Sequence, residues 1–414
     1  MYDLIVMGGG LTGCAAAVAA ARRGLSVLLI EKSGALGGAA VVNLVNPFMP
    51  NGTRIDGKFT ELSQGLYAEI KERLADMGAI QGPTFHEEYL KIALDRLCAE
   101  AGVRVLLHSA LVSADVEDGL VRRVRIVNKA GVQAYEAGSF VDATGDADLA
   151  VACGCSYRLG RPGDGLCQPM TLCFRVANVD VEKYKEIHAT ISPRYQAAQK
   201  AGKIRNPRED VLIFHTLVGG MLHFNSTRVV KMNPTDPFDL SRAEREAREQ
   251  VLELFCFMKE NIEGFENADL AFSAAEIGVR ESRMIDGRYV LSAEEMKDCV
   301  RFPDAIAAGN YDIDIHNPEG SGTSHFYFPE GDYYTIPYRS LVPVDLNNLL
   351  VAGRSISATH EAQASTRIMP ICVTLGEAAG AAAAVAKQDG TSCADVDVAK
   401  LQQTLREAGA YLGV

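Results

Sequence analysis

The chain opens with a strand, a glycine-rich turn, a helix, a second strand and an acid, in that order and at fixed distances. Tyr2-Asp3-Leu4-Ile5-Val6-Met7 is a short apolar strand. Gly8, Gly10 and Gly13 follow in G-x-G-x-x-G spacing, then an Ala-rich helix from about Cys14 to Arg23, then a strand from Leu25 to Ile30. That strand ends on Glu31, eighteen residues after Gly13. Each part has a physical task. Gly8 permits a tight strand-to-helix turn, Gly10 lets backbone touch a pyrophosphate on the positive helix N-terminus, and Gly13 lets helix and strand pack closely. Glu31 stands where an acid accepts hydrogen bonds from a ribose. Strand, helix and acid together predict a Rossmann-like, dinucleotide-binding α/β fold, and Leu11 and Thr12 fall in the same turn.

At 414 residues the chain exceeds one ordinary core, and two domains are expected. A net charge of −12 argues against nucleic acid or an anionic membrane as the main partner. No uninterrupted apolar run reaches the roughly 20 residues of a membrane span, and no basic segment precedes the first strand. A cytoplasmic location is therefore expected. The ten cysteines include no C-x-x-C pair and no zinc or iron–sulfur spacing, so no metal site is expected. Cys153-Gly154-Cys155 is the nearest pair, and one intervening residue rarely suits a disulfide.

Further along, Lys32 and the pair Gly37-Gly38 follow the acid and are expected at the cofactor, where a glycine pair lets backbone pass close to a bulky ligand. Residues 61–77 show helical spacing. Thr84-x-x-Glu87 has the form of a capping box for the next helix. Val103–Leu107 is a strand, 110–117 and 121–128 form a meander, and Ser139–Ala143 is a buried strand ending in Thr144-Gly145-Asp146. From about Gly160 the texture changes: a Gly/Pro loop, a strand at 170–177, and polar periodic helices at 180–202 and 240–262. Near Tyr338 the first texture returns, with a strand at Leu349–Ala352, then Gly353-Arg354, a loop, and an Ala/Gly-rich helix from about Ile371 to Lys387. The reading is a discontinuous nucleotide-binding domain, residues 1–160 and 336–414, built on a parallel sheet plus a β-meander. An inserted α+β substrate domain occupies 161–335.

The second half separates flavin from nicotinamide. A strand ending at Gly353 followed by a helix of small residues suits the far end of an FAD molecule. The helix N-terminus near Met369, Pro370 and Ile371 would aim its dipole at the flavin ring edge. The motifs Gly8–Gly13, Glu31 with Gly37-Gly38, Val141–Asp148, Val279–Arg283, Leu350–Ser355, His360–Gln363 and Arg367–Pro370 span almost the whole chain. In these it resembles the FAD-dependent oxidoreductases of the glutathione-reductase-like superfamily, in the branch near the fumarate-reductase and succinate-dehydrogenase flavoproteins. The resemblance implies FAD, a two-domain architecture and redox chemistry at flavin N5. It names no substrate. One departure is Arg354, where many relatives carry an Asp near the ribityl-phosphate; Arg354 could meet the pyrophosphate instead. Ala143, Thr144, Gly145 and Asp146 sit where a nucleotide would lie, with Asp146 facing ribityl hydroxyls or capping the helix that follows.

His360 is the leading acid–base candidate, because it lies between the Gly353 strand and the flavin-end helix. Arg280 and Arg283 would share a face if helical, and guanidinium forks bind carboxylates; a salt-bridge pair with Glu276 or Glu281 is the plainer reading. Arg367 stands just before the flavin-end helix and could bind substrate or stabilise reduced flavin. Asp312, Asp314 and His316 share a strand face, as a polar pocket or a solvated surface. His215 and His223 could line the substrate cavity, and His325 with Tyr327, Tyr333 and Tyr334 could form a closing loop.

The expected activity is hydride transfer between flavin N5 and a small organic, carboxylate-bearing substrate, with an external electron donor or acceptor. A homo-oligomer is compatible with the sequence. The rivals are a flavin monooxygenase and a non-redox nucleotide-binding protein of the thiazole-synthase kind, which would need Cys167 or Cys173 as its sulfur source.

Overall fold

The computed structural model describes residues 1–414. Ten helices run in chain order: α1 (Leu11–Ala21), α2 (Leu66–Asp76), α3 (Glu87–Glu100), α4 (Asp148–Ala152), α5 (Val181–Lys200), α6 (Pro237–Asn261), α7 (Ala293–Lys297), α8 (His360–Thr366), α9 (Met369–Asp389) and α10 (Val398–Glu407). The principal sheet has seven strands. Its parallel part places Tyr2–Met7 between Val27–Ile30 and Gly131–Asp142, with Arg104–Leu106 outside the former and Leu349–Val351 outside the latter. Gly131–Asp142 is long enough to do two jobs. Its first half pairs antiparallel with Leu120–Asn128, which pairs in turn with Ala110–Glu117, and its last half runs parallel with the fingerprint strand. The register aligns Met7 with Ile30 and with Asp142, and Asp142 with Val351. Four chain segments therefore leave the sheet at one edge: the glycine turn, Glu31-Lys32, Ala143–Asp146 and Ala352–Arg354. In parallel sheets that carboxyl edge is where ligands bind.

Helix α9 packs on α1 at glycine contacts. A Cβ built on Gly376 would stand 2.1 Å from the Thr12 carbonyl oxygen, and one on Gly380 2.1 Å from that of Ala16. By length and composition α9 could cross a bilayer, although its 21 residues include charges that break the apolar run. Nearly all of it is enclosed by protein, and the core explains its composition.

A second hydrophobic core, built mainly from residues 170–277, surrounds a four-stranded antiparallel sheet with α5 and α6 against it. Residues from Leu291 to Ile336 join the first core with the nucleotide-binding strands.

Some local expectations differ from the structure. Thr84 is in a two-residue strand, and α3 is capped instead by the His86 side chain, which accepts from the Glu88 N–H at 3.3 Å. The loop expected before Met369 contains α8, capped by Thr359. Arg280 and Arg283 share no helix: Arg283 begins a strand, Arg283–Ile285, and Arg280 lies in an irregular segment before it.

Candidate functional site

A cavity of about 570 Å³ runs along the carboxyl edge of the parallel sheet and reaches the second core. Its lining draws together residues distant in sequence. Gly8, Gly10, Leu11, Thr12, Glu31, Lys32, Gly37, Gly38, Ala143, Thr144, Gly145, Asp146, Arg354, Arg367 and Met369 all face it, and so does Arg280. Gly13, Gly353, Ile371, His360 and Arg283 do not.

The turn is built as its glycines require. Gly8 has a φ of +97°, and a Cβ there would strike the Ala143 carbonyl at 2.4 Å. A Cβ on Gly13 would strike the Gly8 carbonyl at 1.8 Å. Gly10 differs: a Cβ there meets only the Gly38 Cα, at 3.8 Å. The protein itself leaves room for a side chain at Gly10, so a group lying in the cavity is what needs the space. Gly10 is also the N-cap of α1 and offers no side chain to the first-turn amides, which remain available to an anion. Glu31 is buried, accepting from the Gly9 N–H at 2.5 Å and the Ser33 N–H at 2.7 Å. These features fit the pyrophosphate and ribose of a dinucleotide. At the other end, the N-terminus of α9 has no side-chain cap. Ile368 and Met369 line the cavity there, and Val42, Val45, Pro47 and Met49 add apolar lining, which suits a flat ring system.

The Ala143–Asp146 turn is held by Asp142, the last residue of the strand before it. Asp142 Oδ1 accepts from the Thr144 N–H and hydroxyl at 3.0 and 2.7 Å, and its Oδ2 accepts from the Ala150 N–H at 2.8 Å. Burial pushes its pKa up while these donors pull it down. Asp146 caps no helix: its Oδ1 accepts from the Ser282 hydroxyl at 2.6 Å and pairs with Arg354 Nη2 at 2.5 Å. Arg354 Nε also donates to the Gly145 carbonyl at 2.8 Å, and Nη1 to that of Val279.

The wall from the second core is polar. Thr171, Cys173, Asn225 and Arg280 face the cavity there. Arg280 donates to the Pro169 carbonyl at 2.8 Å, the Thr171 hydroxyl at 2.5 Å and, weakly, Asn225 Oδ1 at 3.4 Å. No carboxylate pairs with it. Burial, and then the like charges of Arg208 and Arg367, push its pKa down to about 9. Arg367 pairs with Asp314 at 3.3 Å, and its Nε is buried without a partner.

Other candidates are placed elsewhere. His360, the first residue of α8, is buried with Nδ1 2.6 Å from Glu281 Oε1. Glu281 is itself fully buried and also accepts from the Gln168 N–H at 2.8 Å. The pair therefore stands behind the Arg280 segment. Arg283 donates to the Asp146 carbonyl at 2.7 Å and pairs with Asp148, away from the cavity. His215 and His223 do not line it; His223 is buried against Phe214. Asp314 meets His316 Nε2 at 3.3 Å, and Asp312 meets His325 Nδ1 at 2.5 Å. No cluster of three or more His, Cys, Asp or Glu is arranged to hold a metal. Tyr334 is buried and hydrogen-bonds Ser365 at 2.7 Å rather than lying in a loop. Burial pushes the Cys173 thiol up to about 11 and Cys167 to about 12, which keeps both protonated and poorly nucleophilic. Thr171 and Asn225 carried no motif; only the fold brings them to Arg280.

The family profile described as FAD dependent oxidoreductase matches residues 3–405. The chain belongs to that family: it is an FAD-dependent oxidoreductase. Among solved structures it is similar to a triple mutant of the flavin-dependent brominase Bmp2, at 12% identity over 98% of this chain and 84% of that one, with a TM-score of 0.51. A geranylgeranyl bacteriochlorophyll reductase-like protein from Thermoplasma acidophilum gives 14% identity, coverage of 98% and 83%, and a TM-score of 0.48. The p-nitrophenol 4-monooxygenase PnpA from Pseudomonas putida DLL-E4 gives 11%, 99% and 83%, and 0.47. At such identities the brominase likeness shows the fold alone. Comparison with curated proteins gives no match.

Proposed function

We propose that this enzyme passes hydride between its flavin and a small carboxylate-bearing substrate held against Arg280. The observation that carries the reading is a cavity-lining guanidinium with no carboxylate partner, pressed by neighbouring arginines. A buried cation in that state gains most from an anion, and a guanidinium binds a carboxylate through paired donors. FAD, when bound along the strand ends, supplies the hydride-accepting or hydride-donating position.

The chain's own residues then do the remaining work. Thr171 and the Pro169 carbonyl fix the Arg280 side chain, and Gln363 Nε2 holds its backbone carbonyl at 2.9 Å. His360 and Glu281 act behind it as positioning residues, because Glu281 is next to Arg280 in the chain and is pinned by His360. Arg367, fixed by Asp314, adds positive charge on the flavin side of the cavity. In this division the second core, with the segment leading to Arg280, contributes the substrate wall, and the carboxyl edge of the principal sheet with the α9 N-terminus holds the cofactor.

The test is equilibrium titration of the oxidised, FAD-loaded enzyme with small carboxylates, following the flavin absorption bands. Wild type is expected to show saturable spectral shifts. Arg280→Met should weaken them by about 30- to 1,000-fold, the loss of a charge-assisted bidentate contact of roughly 2–4 kcal/mol. Equal affinity in both proteins removes Arg280 from the substrate site.

A further inference from the structure

Residues 275–281 cross the cavity without regular secondary structure. Glu276, Ile277, Gly278, Val279 and Arg280 all face it. The segment is stitched to the nucleotide-binding side along its length. The Ala275 N–H donates to the Val42 carbonyl at 3.1 Å, and Asn43 Nδ2 donates to the Glu276 and Ile277 carbonyls at 2.9 and 3.1 Å. Arg354 donates to the Val279 carbonyl. The other side is anchored to the second core: the Ile277 N–H donates to Glu244 Oε1 at 2.7 Å, and Gly278 exchanges two backbone bonds with Thr171 at 2.7 and 3.0 Å.

One contact stands apart from this stitching. Lys32 Nζ lies 3.1 Å from Glu276 Oε2, with the side chains 65% and 45% exposed. Lys32 follows the ribose acid, so a sequence reading gives it to the cofactor. In the structure its charge is already engaged, and by a segment that faces the cavity. A dinucleotide gripped at Glu31 on one side and near Met369 on the other would lie against this segment, which bridges the two walls of the cavity.

We propose that residues 275–281 form a strap that retains FAD, and that Lys32 serves as the latch to Glu276 rather than as a ligand of the cofactor phosphates. The two roles have opposite consequences for Glu276. If Lys32 binds phosphate directly, removing the competing Glu276 charge strengthens its hold on FAD. If Lys32 is the latch, removing Glu276 frees the strap.

The experiment measures the rate of FAD release from the purified holoenzyme after dilution, read as recovery of free-flavin fluorescence, from low to high NaCl. The proteins are wild type, Lys32→Met, Glu276→Gln and the double exchange Lys32→Glu with Glu276→Lys. Each single variant is expected to release FAD about two- to five-fold faster at low salt, the size of an exposed ion pair. Wild-type release should rise with salt towards the variant rate, because screening weakens exposed pairs. The single variants should be nearly insensitive to salt, and the exchange should restore slow release. Slower or unchanged release from Glu276→Gln overturns the latch. So does a double exchange that releases FAD as fast as Lys32→Met. The salt series on wild type is a separate check that needs no substitution, and a rate independent of salt also overturns the proposal.

Discussion

Glu377 is a buried carboxyl in the middle of α9, and replacing it by glutamine should stabilise the protein at neutral and alkaline pH. It is 2% exposed, and no basic side chain pairs with it. Its Oε2 accepts from the Leu66 N–H at 2.9 Å and so caps α2, whose own N-cap is Gly65. Burial dominates and raises its pKa from the ordinary 4.5 to about 7, against the pull of the Leu66 N–H and of Arg23 and Arg22. The folded-state pKa is thus above the unfolded one. Its favourable contribution is complete below pH 4.5 and is lost as pH rises through 7. At pH 8 the cost of the buried charge approaches about 3 kcal/mol at 1.36 kcal/mol per pKa unit. Below pH 4.5 it falls under about 0.5 kcal/mol. Glutamine keeps the shape and an oxygen for Leu66 but carries no charge. Urea unfolding of Glu377→Gln and wild type at pH 4.5 and pH 8 measures the difference. The variant should gain at least about 1 kcal/mol at pH 8, allowing for water at the side of the carboxyl that faces a surface cleft, and almost nothing at pH 4.5. A gain equal at both pH values, or none at pH 8, refutes the reasoning.

Three further outcomes follow from the same geometry. Gly10→Ala should leave the stability of the FAD-free protein within about 0.5 kcal/mol of wild type while weakening FAD binding, because its Cβ has room in the protein but not beside a ligand; unfolding curves and flavin titration check the two halves. Gly13→Ala should fail both tests, since its Cβ would stand 1.8 Å from the Gly8 carbonyl. Gly376→Ala should destabilise the protein by about 1–3 kcal/mol through the α1–α9 contact, an overpacking cost seen in chemical unfolding with or without FAD.

The fingerprint was legible because its logic is local: three glycines, a strand, a helix and an acid within the first 31 residues, all found as expected. The meander and the long helices α5 and α6 were legible by periodicity, and α9 by its run of small residues after the Gly353 strand. Helix α8 was not, because seven residues are fewer than two helical turns and too few to show a periodic pattern, and α8 is held by its Thr359 cap and burial. The His86 cap was missed because Thr84-x-x-Glu87 imitates a capping box two residues early. Spacing suggested a shared face for Arg280 and Arg283, but face-sharing needs a helix, and the chain there is strap and strand. The polar wall of the cavity lay furthest out of reach: Thr171, Asn225 and Arg280 are brought together by the fold, and no spacing along the chain records that.

The central claim is that substrate carboxylate meets Arg280 beside a hydride-exchanging flavin. The most direct test mixes anaerobic, dithionite-reduced enzyme with a carboxylate-bearing alkene, and separately with the corresponding amide, while the oxidised-flavin bands are followed in wild type and Arg280→Met. The account predicts that the carboxylate restores those bands in wild type, that the amide does so far more slowly, and that Arg280→Met abolishes the difference. If a panel of such alkenes leaves the flavin reduced, carboxylate-bearing alcohols fail to bleach the oxidised enzyme, and only oxygen with NADPH and an aromatic compound drives turnover, the account is contradicted and the enzyme is a monooxygenase.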